Sequence, residues 1–281
     1  MTDLWYSEYH TKNVKFSMRL KQQLHSFQSP FQQIDVFDTY EFGRVLTLDG
    51  VIMLTEKDEF IYHEMITHVA MASNPNIKKI LIIGAGDGGT IKRLCAYPYV
   101  EQMDVVEIDQ DVVRISKEYF PSLASSFDDS RVHLYFEDGL RFVRNVENMY
   151  DLIIVDSTDP FGPGEGLFTK EFYGNCFNAL KEQGILINQM ESPYYQDDAQ
   201  AMKRAFRCIK SRFPIALAYQ AHIPTYPSGH WMFGFASKHC TPFDGIEEWE
   251  KLGIVCEYYT TKLHRGCFAL PRYVEIMLEE A

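Results

Sequence analysis

The sequence lacks any apolar run of the roughly 20 residues that a membrane-spanning helix needs. Its first residues, MTDLWYSEYHTK, also lack the basic and then apolar layout of a secretory signal. The 6 cysteines are scattered and include no CxxC pair. We therefore expect a cytoplasmic protein with reduced cysteines, no association with membranes and no metal site.

Positive charge is scarce: 27 lysines and arginines stand against 39 aspartates and glutamates, so the net charge is −12. A nucleic-acid-binding protein needs a basic face, and we expect no nucleic-acid partner here. The acidic balance is consistent with a cationic ligand, although many cytosolic proteins are acidic without one.

Two hydrophobic patterns divide the chain near residue 57. Before it, short apolar runs separated by turn signals such as Asp49-Gly50 predict a meander of short antiparallel strands in a domain over 1–57. Over 58–281, a helix at 60–72 precedes near-continuous apolar strands that alternate with helices. This alternation predicts an α/β domain with a mostly parallel sheet and helices on both faces. The predicted strands lie within 78–86, 103–109, 131–138, 150–156, 182–189, 215–221 and 231–237, and the helices at 90–97, 111–119, 139–147, 169–181, 196–211 and near the C-terminus.

Acidic residues follow several of these strands. In a parallel sheet, ligands bind beyond the carboxyl ends of the strands. The residues at these ends are Gly84–Gly89, Glu107, Asp109, Asp138, Gly139, Asp156, Asp159 and Gln189.

The turn GAGDGG at 84–89 fits a dinucleotide fingerprint, and Glu107 lies where a ribose-binding acid is expected. Nicotinamide and S-adenosylmethionine enzymes share both features. Asp87 would repel a pyrophosphate, or the carboxylate of intact S-adenosylmethionine, and would attract a bare ammonium group. Alternatively, Asp87 only caps the helix that follows.

The stretch LIIVDSTDPFGPG at 152–164 places Asp156 and Asp159 after a buried strand. A strand-end acid at the edge of a low-dielectric core has a raised pKa and can act as a general base. Two acids in one turn can also bind an amine cation, although capping or turn formation would explain them equally. Tyr226, framed by prolines in IPTYPSG, is suited to line a narrow apolar slot.

Together these segments resemble the spermidine synthase (polyamine aminopropyltransferase) family. The resemblance runs from about Trp5 to Pro271 and is most specific where DSTDPFGP combines with YHE and IPTYPSG. The matching segments are LDGVIMLTEKDEFIYHEM (48–65), ILIIGAGDGG (80–89), VVEID (105–109), EDG (137–139), DSTDPFGPGEGLF (156–168), IPTYPSG (223–229) and HRGCFALP (264–271).

The resemblance implies a Rossmann-like, methyltransferase-type domain joined to a small N-terminal antiparallel β-domain. It implies transfer of an aminopropyl group from decarboxylated S-adenosylmethionine, a co-substrate rather than a cofactor, to the diamine putrescine, giving spermidine and methylthioadenosine. It also implies a homodimer or homotetramer.

The matched positions imply roles for individual residues. Asp156 resembles the family's general base. The implied donor contacts are Gln32, Asp87 (to the aminopropyl ammonium), Glu107 (to the ribose), Asp138 (to the adenine), Gly139 and Pro163. The implied contacts to the amine substrate are Tyr62, His63, Asp159, Gln189 and Tyr226.

Several alternatives stay open from the sequence. The amine could be cadaverine or agmatine, and the chain could instead be a methyltransferase, an NAD-dependent oxidoreductase or an inactive binding protein. The sequence also departs from the family pattern: Ala85 replaces a glycine, Arg93 stands where glutamate is common, and Gly266-Cys267 replaces a pair of small residues.

Overall fold

The computed structural model describes residues 3–158 and 162–281, with only the backbone described for residues 162, 163 and 165. Its N-terminal part is an antiparallel sheet. Its five strands follow chain order: β1 (Leu4–Thr11), β2 (Val14–Gln28), β3 (Gln33–Thr39), β4 (Arg44–Leu48) and β5 (Val51–Thr55). The predicted small antiparallel sheet is confirmed.

Two details of this sheet differ from the prediction. No apolar pattern in the sequence singles out β1, and β2 is 15 residues long rather than short. The first half of β2 pairs with β1 and its second half with β3, so the long strand is held by two different partners. Most of its second half is exposed or half-buried, so no hydrophobic alternation marks it in the sequence.

The second sheet has seven strands in the order β11-β12-β10-β9-β6-β7-β8. The pairings from β10 through β8 are parallel, whereas β12 is antiparallel to both β10 and β11. The predicted mostly parallel sheet is therefore confirmed. The strands are β6 (Lys79–Gly84), β7 (Gln102–Glu107), β8 (Val132–Phe136), β9 (Tyr150–Asp156), β10 (Leu180–Glu191), β11 (Ile215–His222) and β12 (His230–Ser237).

Helices cover both faces of this sheet. Alternate residues of β6 and β9 enter two separate hydrophobic clusters, one on each face, which explains why these strands read as continuous apolar runs. The helices are α1 (Glu59–Ser73), α2 (Gly89–Cys95), α3 (Gln110–Tyr119), α4 (Pro121–Ala124), α5 (Gly139–Val143), α6 (Lys170–Ala179), α7 (Gln196–Lys210), α8 (Ile246–Glu250), α9 (Thr261–Cys267) and α10 (Arg272–Glu279).

The helix predicted over 139–147 ends earlier, at Val143. Asn148 adopts a left-handed conformation with φ 48°. Its backbone N–H donates to the carbonyl of Asn178, and that of Met149 donates to the carbonyl of Ala179, both at 2.8 Å. These contacts turn the chain into β9 instead of prolonging the helix.

The glycine turn after β6 is joined to the end of β9 at the centre of the sheet. The Ala85 N–H donates to the Asp156 carbonyl at 2.9 Å. A Cβ atom on Gly84, whose φ is 91°, would lie 2.0 Å from that carbonyl oxygen, so only glycine fits there. Ala85 is itself left-handed, with φ 62°. This is the point where the strand order reverses, and ligands of such sheets bind there.

Within the ranges 3–158 and 162–281, no helix combines the length and the apolar content that crossing a membrane would need.

Candidate active site

A pocket lies beyond the carboxyl ends of β6, β7, β9 and β10, and the β4–β5 hairpin of the N-terminal sheet forms part of its wall. It brings together most of the predicted site residues. Those that line it are Gln32, Tyr62, His63, Asp87, Glu107, Asp138, Gly139, Asp156, Gln189 and Tyr226. Asp159 and the side chain of Pro163 lie outside the described part of the chain.

Asp156 is held by two hydroxyl groups. The Tyr62 hydroxyl donates to Oδ1 at 2.7 Å, and the Thr90 hydroxyl donates to Oδ2 at 2.6 Å. Burial, reinforced by the negative charge of Asp87, raises the pKa of Asp156 above its ordinary value. The result is an oriented carboxylate with an increased affinity for a proton, which suits a general base. The sequence does not indicate Thr90, because this contact depends on how α2 packs against β9.

Asp87 takes part in the start of α2, as the alternative interpretation expected. Its Oδ1 accepts the N–H of Gly89 at 2.6 Å, and it also lies 3.4 Å from Nε2 of His63. Burial would raise the pKa of Asp87, but His63 and this N–H outweigh burial and lower it. Asp87 therefore contributes a negative charge to the pocket while supporting the helix.

His63 is fixed between two acids. Its Nδ1 lies 2.6 Å from Glu59 Oε2, on the side opposite Asp87. A Cβ atom on Gly89 would lie 2.2 Å from the imidazole ring, so this glycine lets the ring pack against the start of α2. Burial would lower the pKa of His63, but the carboxylates of Asp87 and Glu59 outweigh burial and raise it to about 10.

Glu107 and Asp109 connect the end of β7 to the N-terminal sheet. Glu107 accepts the N–H of Asp109 at 2.8 Å, and burial raises the pKa of Glu107 to about 7. The Oδ2 atom of Asp109 accepts hydrogen bonds from the Ser29 hydroxyl at 2.6 Å and from Gln32 Nε2 at 3.1 Å. Gln32 is thus fixed at the pocket by Asp109, which the sequence placed at a strand end without assigning it a role.

Asp138 lines the pocket and also caps a helix. Its side chain accepts the N–H of Leu140 at 2.8 Å and so caps α5. A cap of this kind is typical of aspartate at a helix start.

Aromatic rings form the wall near Asp156. The ring centroids of Tyr62 and Tyr226 lie 5.9 Å apart, and those of Tyr226 and Trp231 lie 4.8 Å apart. The Tyr226 hydroxyl donates to the carbonyl of Met53 at 2.5 Å, which ties this wall to the N-terminal sheet. Gln189 is oriented by donating to the Ser157 carbonyl at 3.3 Å. Tyr226, which the sequence indicates as a candidate to line an apolar slot, is therefore one of three aromatic side chains in contact in this wall.

The described lining of the pocket contains four carboxylates, from Asp87, Glu107, Asp138 and Asp156, and no lysine or arginine. His63 is the one histidine among these residues, and the carboxylates beside it raise its pKa. Such a lining attracts cations and repels anionic groups such as a pyrophosphate.

A second group of polar residues lies outside this lining. Ligand atoms of Glu64, His68 and Cys256 fall within 4.8 Å of one another. The Glu64 carboxylate, however, accepts the backbone N–H groups of residues 257, 258 and 259 at 2.8 to 2.9 Å. The observed contacts of Glu64 therefore indicate an anchor for this loop.

Comparison with protein-family models gives two matches. Residues 59–244 match the spermine/spermidine synthase domain, and residues 4–56 match the spermidine synthase tetramerisation domain. The second match covers the five-stranded sheet and supports a homo-oligomer.

The chain is also similar to curated proteins and solved structures over nearly its whole length. It is 64% identical to the polyamine aminopropyltransferase of Clostridium perfringens over 278 residues, covering 99% of this chain and 98% of the relative. It is 64% identical to that of Alkaliphilus oremlandii over 280 residues, covering 99% of both. A crystal structure of spermidine synthase with the transition-state analogue AdoDATO superposes with a TM-score of 0.95 at 42% identity, covering 99% of this chain and 96% of the other. Spermidine synthase from Thermotoga maritima gives a TM-score of 0.92 at 40% identity, covering 98% and 94%.

Proposed function

Because the chain belongs to the spermine/spermidine synthase family of aminopropyltransferases, we propose that it transfers the aminopropyl group of decarboxylated S-adenosylmethionine to putrescine. The products are spermidine and methylthioadenosine. The observation that carries the proposal is the pocket lining, in which four carboxylates are described and no lysine or arginine. Both substrates are cations, and such a pocket favours them over the anionic ligands of related folds.

The reaction is a displacement at a carbon next to a sulfonium. The lone pair of the amine nitrogen forms a bond to that carbon, and the carbon–sulfur bond breaks with its electron pair remaining on sulfur. The amine nitrogen then has one proton too many, which passes to Asp156. The hydroxyls of Tyr62 and Thr90 orient this carboxylate, and its raised pKa favours proton uptake.

The donor is assigned to the side of the pocket formed by β6, β7 and α5. We assign Asp87 to its aminopropyl ammonium, Glu107 to the ribose and Asp138 to the adenine. Gln32, Gly139 and Pro163 complete the proposed donor site. A bare ammonium beside Asp87 gains a charge-assisted contact, whereas the carboxylate of intact S-adenosylmethionine would be repelled there.

The amine substrate is assigned to the aromatic wall. Tyr62, Gln189, Tyr226 and Asp159 are proposed to hold the diamine with one neutral nitrogen directed at the donor carbon. Holding both substrates in line supplies much of the rate enhancement in a displacement of this kind.

The N-terminal sheet matches a tetramerisation domain, and we propose that the chain forms a homodimer or homotetramer through it. Light scattering on the full chain distinguishes these two states, and a monomer would contradict both. We also propose a cytoplasmic location, which fractionation of cells that express the tagged chain would test.

The test of the proposed function is methylthioadenosine release from decarboxylated S-adenosylmethionine, with putrescine, cadaverine, agmatine and spermidine offered separately. We expect the highest kcat/KM with putrescine, and spermidine as the amine product. Faster release with another amine would keep the chemistry and change the substrate. The absence of release with every amine would contradict the proposal. Intact S-adenosylmethionine serves as the control donor and should bind more weakly.

A further inference from the structure

Both ring nitrogens of His63 face carboxylates. Nδ1 lies 2.6 Å from Glu59 and Nε2 lies 3.4 Å from Asp87, and the residue is 2% exposed. A neutral imidazole carries one N–H, so one of these contacts would place a lone pair against a carboxylate. An imidazolium donates from Nδ1 to Glu59 and places its second N–H, on Nε2, at ion-pair distance from Asp87. The geometry therefore favours a positively charged ring.

A charged His63 is poorly suited to hold an amine substrate. An imidazolium has no acceptor atom for an ammonium group, and it repels a second cation in the same low-dielectric site. Its contact with Asp87 instead places it beside the residue assigned to the donor. This differs from the role that the family resemblance implied for His63.

Arg93 adds a further charge to the contacts among Glu59, His63 and Asp87. Its Nη2 atom lies 3.1 and 3.3 Å from the two carboxylate oxygens of Glu59. Arg93 is one of the positions at which the sequence departs from the family pattern. Arg93, Glu59, His63 and Asp87 thus form a row of alternating charges that links α1 and α2 to the glycine turn. Other charged or titratable groups near the row are Lys92, Tyr62, Asp156, His68 and Cys256.

We propose that His63 is an imidazolium that orients the Asp87 carboxylate toward the donor's aminopropyl ammonium, and that Glu59 and Arg93 are positioning residues acting through it. The proposal rests on the proposed function for the identity of the donor. It assigns His63 to the donor half of the pocket, and the amine substrate is then held without this residue.

The charge of His63 can be measured without turnover. Nuclear magnetic resonance of the full chain with 15N-labelled histidine reports the protonation of each ring, and the His63 signal is identified by its loss in His63→Gln. At about pH 8, where an ordinary histidine is neutral, we expect both His63 nitrogens to be protonated. Glu59→Gln should lower the pKa of His63. A neutral ring at that pH in the unaltered chain would overturn the proposal.

The positioning role is tested by Glu59→Gln with two ligands. Decarboxylated S-adenosylmethionine carries the aminopropyl ammonium, whereas methylthioadenosine lacks it. We expect the variant to bind the former about tenfold more weakly, as for loss of a charged hydrogen bond, and the latter as the unaltered chain does. Equal weakening for both ligands would indicate a general structural defect and overturn the proposal.

The matched control is Glu182→Gln, which breaks the exposed pair of Glu182 with His239, 2.5 Å apart. It should change neither affinity.

Arg93→Lys should retain most of the donor affinity that Arg93→Met loses. In steady-state assays, Glu59→Gln should raise the KM for the donor and leave that for putrescine unchanged; a rise confined to putrescine would contradict the assignment. If the unaltered chain turned over no amine, the proposed function would fail, while the histidine spectra would still decide the charge of His63.

Discussion

The two ends of β9 carry the same residue type in opposite settings. At the amino end, Asp151 accepts the backbone N–H groups of Lys78 and Lys79 at 3.1 and 2.9 Å, and pairs with Lys181 Nζ at 2.9 Å. At the carboxyl end, Asp156 meets two neutral hydroxyl groups and lines a pocket. A carboxylate matched by N–H groups and a cation stabilises the fold, whereas one held by hydroxyls near another acid is disposed to accept a proton.

Under the proposed function, Asp156 serves catalysis whereas Asp151, at the other end of the same strand, serves the stability of the fold. The burial that raises the pKa of Asp156 is a cost to folding, because a buried charge is poorly solvated. Asp151 instead holds together β6, β9 and the start of β10. Substitutions at the two positions should therefore have opposite consequences.

The largest expected effect is on catalysis. Asp156→Asn should lower kcat by about 10²- to 10⁴-fold, the range for loss of a general base. Asp151→Asn should leave kcat close to that of the unaltered chain. Methylthioadenosine release at saturating substrates measures both. Similar losses in the two variants would show that the ends of the strand do not differ as described.

The second effect is on stability, where Asp151→Asn should have a larger effect than Asp156→Asn. Asp151→Asn removes the ion pair with Lys181 and should lower the free energy of unfolding by about 1–3 kcal/mol. Asp156→Asn removes a buried charge and should leave that free energy unchanged or raise it. Urea unfolding at one fixed protein concentration makes the comparison, since an oligomer's stability depends on concentration. Greater destabilisation by Asp156→Asn would contradict the interpretation.

The third effect concerns Glu107, whose pKa is raised from 4.5 to about 7. The ionised form of Glu107 is the better acceptor for the ribose hydroxyls that we propose it binds. The Kd for methylthioadenosine should therefore fall about tenfold between roughly pH 6 and pH 8. Calorimetric titration measures it, and Glu107→Gln should abolish the dependence.

The same shift acts on stability with the opposite sign. Because the folded state holds the Glu107 proton more tightly, its contribution to stability is complete below the unfolded value of 4.5 and is lost as the pH rises through about 7. Glu107→Gln should flatten this part of the stability profile of the ligand-free chain. Affinity and stability that changed in the same direction would contradict the assigned pKa.

The smallest effect is expected at Ala85, which adopts φ 62° beside the end of β9. Left-handed alanine costs about 1–2 kcal/mol, and this outweighs the roughly 0.5–1 kcal/mol entropic cost of glycine. Ala85→Gly should thus raise the free energy of unfolding by up to about 1 kcal/mol. The control Ala96→Gly, at φ −66°, should lower it, and equal losses in both variants would refute the strain argument.

The sequence predicted the fold and much of the pocket for a physical reason. Apolar strands such as 150–156 must be buried on both faces, so the acids that follow them have to meet at one edge of the sheet. The glycine turn identifies the strand from which that edge is built. The number of residues between this turn and Glu107 in the sequence then identifies the neighbouring strand.

Other features depended on contacts between distant segments. Thr90 reaches Asp156 because the first turn of α2 packs beside β9, and nothing in the local sequence indicates this. Glu59 and Arg93 look like ordinary surface charges of two helices until the structure places them around His63. Sequence periodicity finds elements and their buried faces, but pairs of polar side chains across elements require the three-dimensional structure.

The most direct test of the central claim is a single-turnover experiment with enzyme in excess over decarboxylated S-adenosylmethionine and with saturating putrescine. Methylthioadenosine formation is followed at several pH values for the unaltered chain and for Asp156→Asn. We expect the rate constant of the unaltered chain to fall as the pH is lowered and Asp156 gains its proton. We expect that of the variant to be slow and to lack this dependence. A variant with the same rate constant and the same pH profile as the unaltered chain would contradict the account.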